Sequence, residues 1–324
     1  MASMDSIHRQ LNPRDLHVFK TVAEHGNISK AADSLAISRP VISRTIAGLE
    51  HRLGVPLFDR SPQGVEPTLY GRALHKLAIT VFDDLRRGVQ EIEFLADPTA
   101  GELRLGCSDW AAGPVGVAVD RMSRRYPRIT FDIVSAAAPA WAGDARSLFL
   151  RDLKERNIEL FVAGRVDALP KEDFDAELLY DDPLVVVANT RHPLARRRRV
   201  ELAELVNVAW VMPPANTVSG SEVRSAFQGR GLALPTTIVS TYSHVLQQHL
   251  VASGRFISVF PKSILHLMAK SHSLAALPVD LPTMRRTLAI VVLKRRTLSP
   301  IAQLFIETLH AVAQPQIRVR DTVP

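Results

Sequence analysis

The chain has 324 residues, 46% hydrophobic and 23% charged, which fits a globular protein of two or three domains rather than one. It holds no apolar run of about 18 residues, and its opening MASMDSIHRQ lacks an apolar core, so neither a transmembrane helix nor a secretory signal is expected. A net charge of +7 favours an anionic partner, and the single cysteine, Cys107, excludes an internal disulfide and suits a reducing cytoplasm.

Asn12 and Pro13 read as the cap and first-turn residue of a helix. Its Leu16, Phe19 and Ala23 face a core, and Gly26 ends it. A second helix carries Ile28, Ala31, Ala32 and Leu35. Ser38 then opens a third, its hydroxyl expected to accept from an unpaired backbone N–H, with Pro40 in the first turn where a missing N–H costs nothing. In that helix Ile42, Ile46, Leu49 and Leu53 fall within a narrow arc at about 100° per residue, one buried face. Two helices joined by so short a turn form a helix-turn-helix. The opposite face shows Ser43, Arg44, Ala47 and His51, with Arg39 at the helix start. Small, hydroxyl and cationic groups suit a helix laid in the DNA major groove, where Arg can hold guanine with two hydrogen bonds. Pro56 to Phe58 and Val65 to Pro67 flank a turn with Pro62 and Gly64, a short wing with Arg60 near its tip. An ordinary helical hairpin with a solvated polar face has the same pattern, so on residues alone both readings stand.

Thr68 caps a long helix reaching Leu95. Leu74, Ala78, Val81, Leu85, Gly88, Ile92 and Leu95 alternate steps of four and three along it, a seam suited to pairing with a second copy. The same seam could instead pack on its own domain. Asp97 to Gly101 breaks the helix and reads as a hinge.

From Glu102 strands alternate with helices: Leu103 to Cys107, a helix face of Val115, Ala118, Val119 and Met122, then Ile129, Phe131 and Ile133, Ile158 to Ala163 and Leu184 to Ala188. Later strands are Thr236 to Ser240, Phe256 to Phe260 and Leu288 to Leu293, with a final helix from Ser299 and Pro300. This order predicts a mostly parallel sheet with crossover connections. Ligands of such sheets sit beyond the carboxyl ends of strands, near helix N-termini. Ser108, Ser135, Arg165, Asn216, Thr217, Ser243, His244 and Pro261 occupy such places. Each has a plainer reading: Ser108 and Ser243 as helix caps, Arg165 as a surface cation, His244 as a polar helix start. Trp110 and Trp210 read as packing residues able to stack on a sugar ring, and Cys107 as a small buried hydrophobe.

The charge is unevenly placed. Residues 1–97 hold 12 Lys+Arg and 12 Asp+Glu, and the surplus lies in Arg196 to Arg199, Arg285 and Arg286, and Lys294 to Arg296. The four-arginine run reads as a solvated loop or a nucleic-acid contact. No Gly-rich phosphate loop, HExxH pair, paired-Cys zinc spacing or GxSxG elbow is present, and the 11 histidines lack ligand spacing, so no catalysis, metal or cofactor is expected.

The run SKAADSLAISRPVISRTIAGLE, with LGVPLFDR and PTLYG after it, resembles the LysR-type transcriptional regulators. The likeness extends over the whole chain and is most specific over residues 14 to 72. It implies an α+β chain: a winged helix-turn-helix DNA-binding domain at 1–68, a linker dimerisation helix and hinge at 69–97, and at 98–324 a two-lobed α/β effector domain like type 2 periplasmic binding proteins. One lobe would hold roughly 102–178 plus 284–314, the other the residues between. Ser38, Arg39, Pro40, Ser43, Arg44 and Arg60 would contact double-stranded DNA. Leu74, Ala78, Val81, Leu85 and Ile92 would join a homodimer able to pair again into a tetramer. The eight strand-end residues would line an effector cleft between the lobes. Many family members carry Gln where this chain has Arg39, so the operator sequence does not transfer. LLYDDPLVVVA, HPLARRRR and LPVDLP resemble the sugar-responsive, galactose-binding-protein-regulator branch, which implies a monosaccharide or small organic acid as effector. The resemblance leaves contact with RNA polymerase open and implies a cytoplasmic protein. An effector-independent DNA binder and an enzyme on the α/β scaffold are the other readings.

Overall fold

The computed structural model describes residues 11–62, 64–108, 111–135, 145–164, 169–215, 217–281 and 287–318. They form two compact units, Met1–Val89 and Gln90–Pro324.

In the first unit, helix α1 (Pro13–His25) begins where the Asn12 side chain accepts from the Asp15 amide at 2.8 Å. It ends at Gly26, whose φ of 60° closes the last turn. Asn27 caps α2 (Ile28–Leu35), accepting from Ser29 and Lys30. The tight turn at Ala36 to Ser38 leads into α3 (Arg39–Leu53). Ser38 stands at the cap position but makes no side-chain capping bond, contrary to the expectation for its hydroxyl; the exposed side chain has water in reach instead. The three helices bury Leu16, Phe19, Val22, Ala31, Ile42, Ile46 and Leu49 in one core. The wing pairs β1 (Phe58–Ser61) antiparallel with β2 (Gly64–Pro67). It is held from below: Val65 N–H donates to the Gly26 carbonyl at 3.0 Å. A Cβ on Gly64, at φ +144°, would lie 2.4 Å from that carbonyl oxygen, so only glycine fits there.

Helix α4 (Leu69–Ala96) is capped by Thr68, which accepts from the Gly71 amide at 3.0 Å. Leu74 and Ala78 are buried in the core of the first unit, and Val81 packs against it. The opening of the proposed seam therefore packs on its own domain, and these positions correct the dimerisation set. Leu85, Val89, Ile92 and Leu95 are exposed.

The second unit holds two sheets. The first has the order β4–β3–β5–β12–β6, built from β3 (Ala100–Cys107), β4 (Arg128–Ser135), β5 (Leu160–Gly164), β6 (Phe174–Asp181) and β12 (Thr287–Leu293). Strand β3 runs parallel to β4 and β5, but β12 is antiparallel to both β5 and β6. One face is covered by α5 (Ala112–Arg125) and α10 (Pro300–Arg318), through Val115, Ala118, Met122, Ile301, Phe305 and Leu309. The other takes Phe149 and Leu153 of α6 (Ala145–Lys154).

The second sheet repeats this plan. Strand β7 (Leu184–Asn189) lies antiparallel between β10 (Ser258–Pro261) and β11 (Leu274–Ala276). Strand β8 (Trp210–Met212) runs parallel to β9 (Thr237–Ser240) and joins β10 through the Trp210–Ile257 bridge. In both sheets the first parallel strand sits in the middle, the second outside it, and the third beside an antiparallel strand. Helix α7 (Val218–Gln228) packs Phe227 on Trp210, and α8 (His244–Ala252) and α9 (Lys262–His272) cover the opposite face. Each sheet is thus mostly parallel in strand direction, with one reversed strand, β12 or β7, set within it. The antiparallel strands β7 and β12 follow the two passages of the chain between the lobes, and each returns against the parallel set.

Candidate nucleic-acid interface and effector site

The exposed start of α3 is fixed from its far end. The Glu50 carboxylate accepts from the Leu57 and Phe58 amides at 2.8 and 3.3 Å, tying the end of the helix to the wing. Arg52 pairs with Asp15 of α1 at 2.5 Å. Ile42, Ile46 and Leu49 are buried, so the helix cannot turn about its axis without exposing them. Ser38, Arg39, Pro40, Arg44, Ala47 and His51 are left exposed, and Ser43 is half-buried. Arg44 donates through Nε to the Pro40 carbonyl at 3.3 Å, which leaves the rest of its guanidinium fork for a base or a phosphate. Arg60 is exposed on β1, opposite Val65. Five of the six DNA candidates therefore lie along one stretch of helix, and the sixth lies on the wing. The sequence reading missed Asn27 and Glu50. Asn27 had a signal, an Asn directly before an apolar helical repeat; Glu50 had none, because its partners are seven and eight residues away.

The strand-end candidates fall into two groups, one on each sheet. Cys107 pairs with Ser135 in parallel register, and the Ser108 amide donates to the Val162 carbonyl at 3.0 Å, so Ser108 and Ser135 share one carboxyl edge. Arg165 would extend this edge, but it lies outside the described residues, as do Asn216 and Trp110. The hydroxyl of Ser108 is buried with no hydrogen-bond partner among the described residues. It stands just before α5, whose cap position holds Ala111 and gives no side-chain capping bond.

On the other sheet, Thr217, Ser243 and Pro261 follow or end β8, β9 and β10, the parallel set. Thr217 accepts from the Gly220 amide at 3.1 Å and Ser243 from the Leu246 amide at 3.2 Å, so both cap helices. His244 Nδ1 lies 2.9 Å from the Gln247 side-chain oxygen. Gln247 is itself buried, and its amide nitrogen has no partner among the described residues. Pro261 is buried. Trp210 is fully buried, with Nε1 donating to the Leu205 carbonyl at 2.8 Å, so it is a packing residue and unavailable to a sugar. Cys107 is likewise buried.

The chain's first passage between the lobes is tied to α9. The Ser263 amide and hydroxyl donate to the Asp182 carboxylate at 2.9 and 2.5 Å, and α9 lies against α5. Burial, with the Asp182 carboxylate nearby, holds the Tyr180 phenol far above its ordinary pKa, so it stays protonated. Among the described residues no group of His, Cys, Asp and Glu could hold a metal ion, and no helix is long and apolar enough to cross a membrane.

Residues 13–72 match the family model "Bacterial regulatory helix-turn-helix protein, lysR family", and residues 96–314 match "LysR substrate binding domain". Among curated relatives, the HTH-type transcriptional regulator GbpR of Azospirillum brasilense is 27% identical over 312 residues, covering 95% of this chain and 89% of its own. The SDS degradation transcriptional activation protein of Pseudomonas sp. is 30% identical, covering 90% and 92%. Of solved structures, a full-length OxyR variant from Pseudomonas aeruginosa has a TM-score of 0.64 at 21% identity, covering 95% of this chain and 98% of its own.

Proposed function

We propose that this chain, which belongs to the LysR family of bacterial transcriptional regulators, reads its operator with the start of α3 and is switched by a monosaccharide or small organic acid held at the carboxyl edges of its two sheets. Arg39, Ser43 and Arg44 read bases, while Ser38, Pro40 and Arg60 position the helix and wing on the backbone. The exposed half of α4 pairs two copies. The protein works in the cytoplasm as a dimer or a dimer of dimers, and RNA polymerase is its natural downstream contact.

The observation that carries the effector site is the Ser108 hydroxyl. A buried hydroxyl without a partner costs stability unless something else satisfies it. A ligand hydroxyl or carboxylate at the head of α5 would do so, and the helix dipole there favours negative charge. Helix caps Thr217 and Ser243 occupy matching places on the second sheet, and the Gln247 amide nitrogen, without a partner among the described residues, adds a donor.

The test is Ser108→Ala. A structural hydroxyl would lose stability on removal; an orphan should lose none, while each lost ligand hydrogen bond weakens binding by about 1 kcal/mol, roughly fivefold. We expect an unchanged or slightly raised unfolding temperature, unchanged DNA binding without ligand, and weaker binding of whichever sugar or acid stabilises the parent. Unchanged ligand affinity would remove Ser108 from the site.

A further inference from the structure

The arginine run is not accounted for by either site. Residues 182–281 hold 10 Lys+Arg against 5 Asp+Glu, whereas residues 1–97 hold 12 of each. All five acids of the second lobe are engaged or buried. Asp182 accepts from Ser263, Glu222 is buried, and Glu201, Glu204 and Asp280 pair with Arg199, Arg197 and Arg230. Arg191, Arg196 and Arg198 are exposed and have no ion pair among the described residues.

The segment that carries them is fixed at both ends. The Thr190 amide donates to the Ser273 carbonyl at 2.8 Å, and His192 accepts from the Leu194 amide to open a short 3-10 turn at Pro193–Arg196. Beyond the run, Val200 is buried, bridges Val279 and donates to the Pro278 carbonyl at 3.0 Å. Glu201 and Glu204 then form a capping box on the next turn. Arg197 is extended, and the backbone bends at Arg198 before the bridge at Val200. Arg197 and Arg199 pair with Glu204 and Glu201, and Arg198 between them is exposed with no ion pair among the described residues. Burial lowers the pKa of His192, so at neutral pH the charge here is that of the arginines.

We propose that Arg191, Arg196 and Arg198 form a second phosphate-binding surface, which grips the DNA backbone outside the bases read by α3. Arginines on a pre-ordered segment lose less conformational freedom on meeting phosphate than arginines on a free loop, and the guanidinium fork matches phosphate oxygens. The neutral N-terminal segment supplies no surplus charge for backbone affinity; the second lobe does. Phosphate contacts release counterions, so each adds about 0.9 to the slope of log affinity against log salt.

The experiment uses the full-length chain and a mixed-sequence DNA duplex across a salt series. Arg196→Glu with Arg198→Glu is compared with Arg196→Gln with Arg198→Gln, and with Lys171→Glu plus Arg151→Glu, exposed positions of the other lobe that change net charge equally. We expect the Glu pair to flatten the slope by about 2 per engaged protomer, the Gln pair to move it in the same direction, and the control pair to leave it near the parent value. Base preference in operator selections should not change. A parent-like slope in both Arg196/Arg198 pairs, or equal flattening by the control pair, overturns the proposal. A loss of transcriptional activation with DNA binding intact also overturns it, and would assign the run to an acidic protein partner.

Discussion

Arg39 and Glu50 lie near the two ends of α3 and have separate tasks. Arg39 is exposed where the helix begins, and no hydrogen bond of the protein holds its guanidinium among the described residues. Arg39→Ala should relax base preference at one position of each half-site, by about 1–3 kcal/mol if the contact is bidentate. If Arg39 touched phosphate alone, every sequence would weaken alike and the salt slope would drop. Selection on randomised operators separates the two, and unchanged preference would remove the base-reading role. Glu50 holds two amides of the wing entry. Glu50→Ala leaves both without their partner, so it should lower unfolding stability by about 1–3 kcal/mol. Affinity for all duplexes should fall as the wing loosens, with base preference kept. A parent-like urea midpoint would contradict this account of the wing.

Among the elements, α4 has two characters within 28 residues. Its first turns bury Leu74 and Ala78 at home; later, Leu85, Ile92 and Leu95 are 54%, 69% and 76% exposed. With Val89 they fall within about 120° of the helix circumference, an apolar stripe of the width that packs on another element. Leu85→Asp with Ile92→Asp should leave the monomer folded, since both sites are exposed, yet place four charges in a symmetric contact. Sedimentation should show monomers with weakened operator binding; an intact dimer would mean the pairing surface lies elsewhere. The heptad spacing in the sequence was real, but a spacing cannot say whose surface meets it. The ends of α1 and α4 were legible because Asn12, Gly26 and Thr68 act on amides and carbonyls within four residues. The reversal of one strand in each sheet was not legible in this way. Alternation marks a strand but carries no direction, and β12 finds β5 and β6 across more than a hundred residues. Strand β6 went unread because its exposed middle, Asp175 to Leu178, mixes two acids with two apolar residues, and β11 because it has three residues.

At the scale of the whole molecule, ligand binding in one unit has to alter DNA binding by the other. A ligand can do this only by favouring one arrangement of the assembled protein over another, and the coupling is reciprocal. The candidate edge residues were found because strand ends follow from strands. What the sequence could not tell was which hydroxyls were already used: Thr217 and Ser243 cap helices, while Ser108 has no described partner. Acid should also loosen the passage from α4 to β3, where Asp97 pairs with Arg128 and accepts from Thr99. Hydrogen bonds from Thr99 and the Arg128 charge hold the Asp97 pKa below its ordinary value. Its stabilising contribution is therefore complete above the ordinary carboxylate range and is lost as pH falls through the lowered value. Asp97→Asn should flatten the acid limb of the stability curve, and an unchanged limb would deny the residue this part.

The most direct test begins with a panel of monosaccharides and small organic acids. The compound that most raises the unfolding temperature of the full-length protein is carried into operator footprinting. This compound should change the footprint or affinity of the parent, and at the same concentration Ser108→Ala should show a smaller change with equal DNA binding in its absence. A compound that binds tightly while the parent's footprint and affinity stay the same would contradict the coupling of the two units.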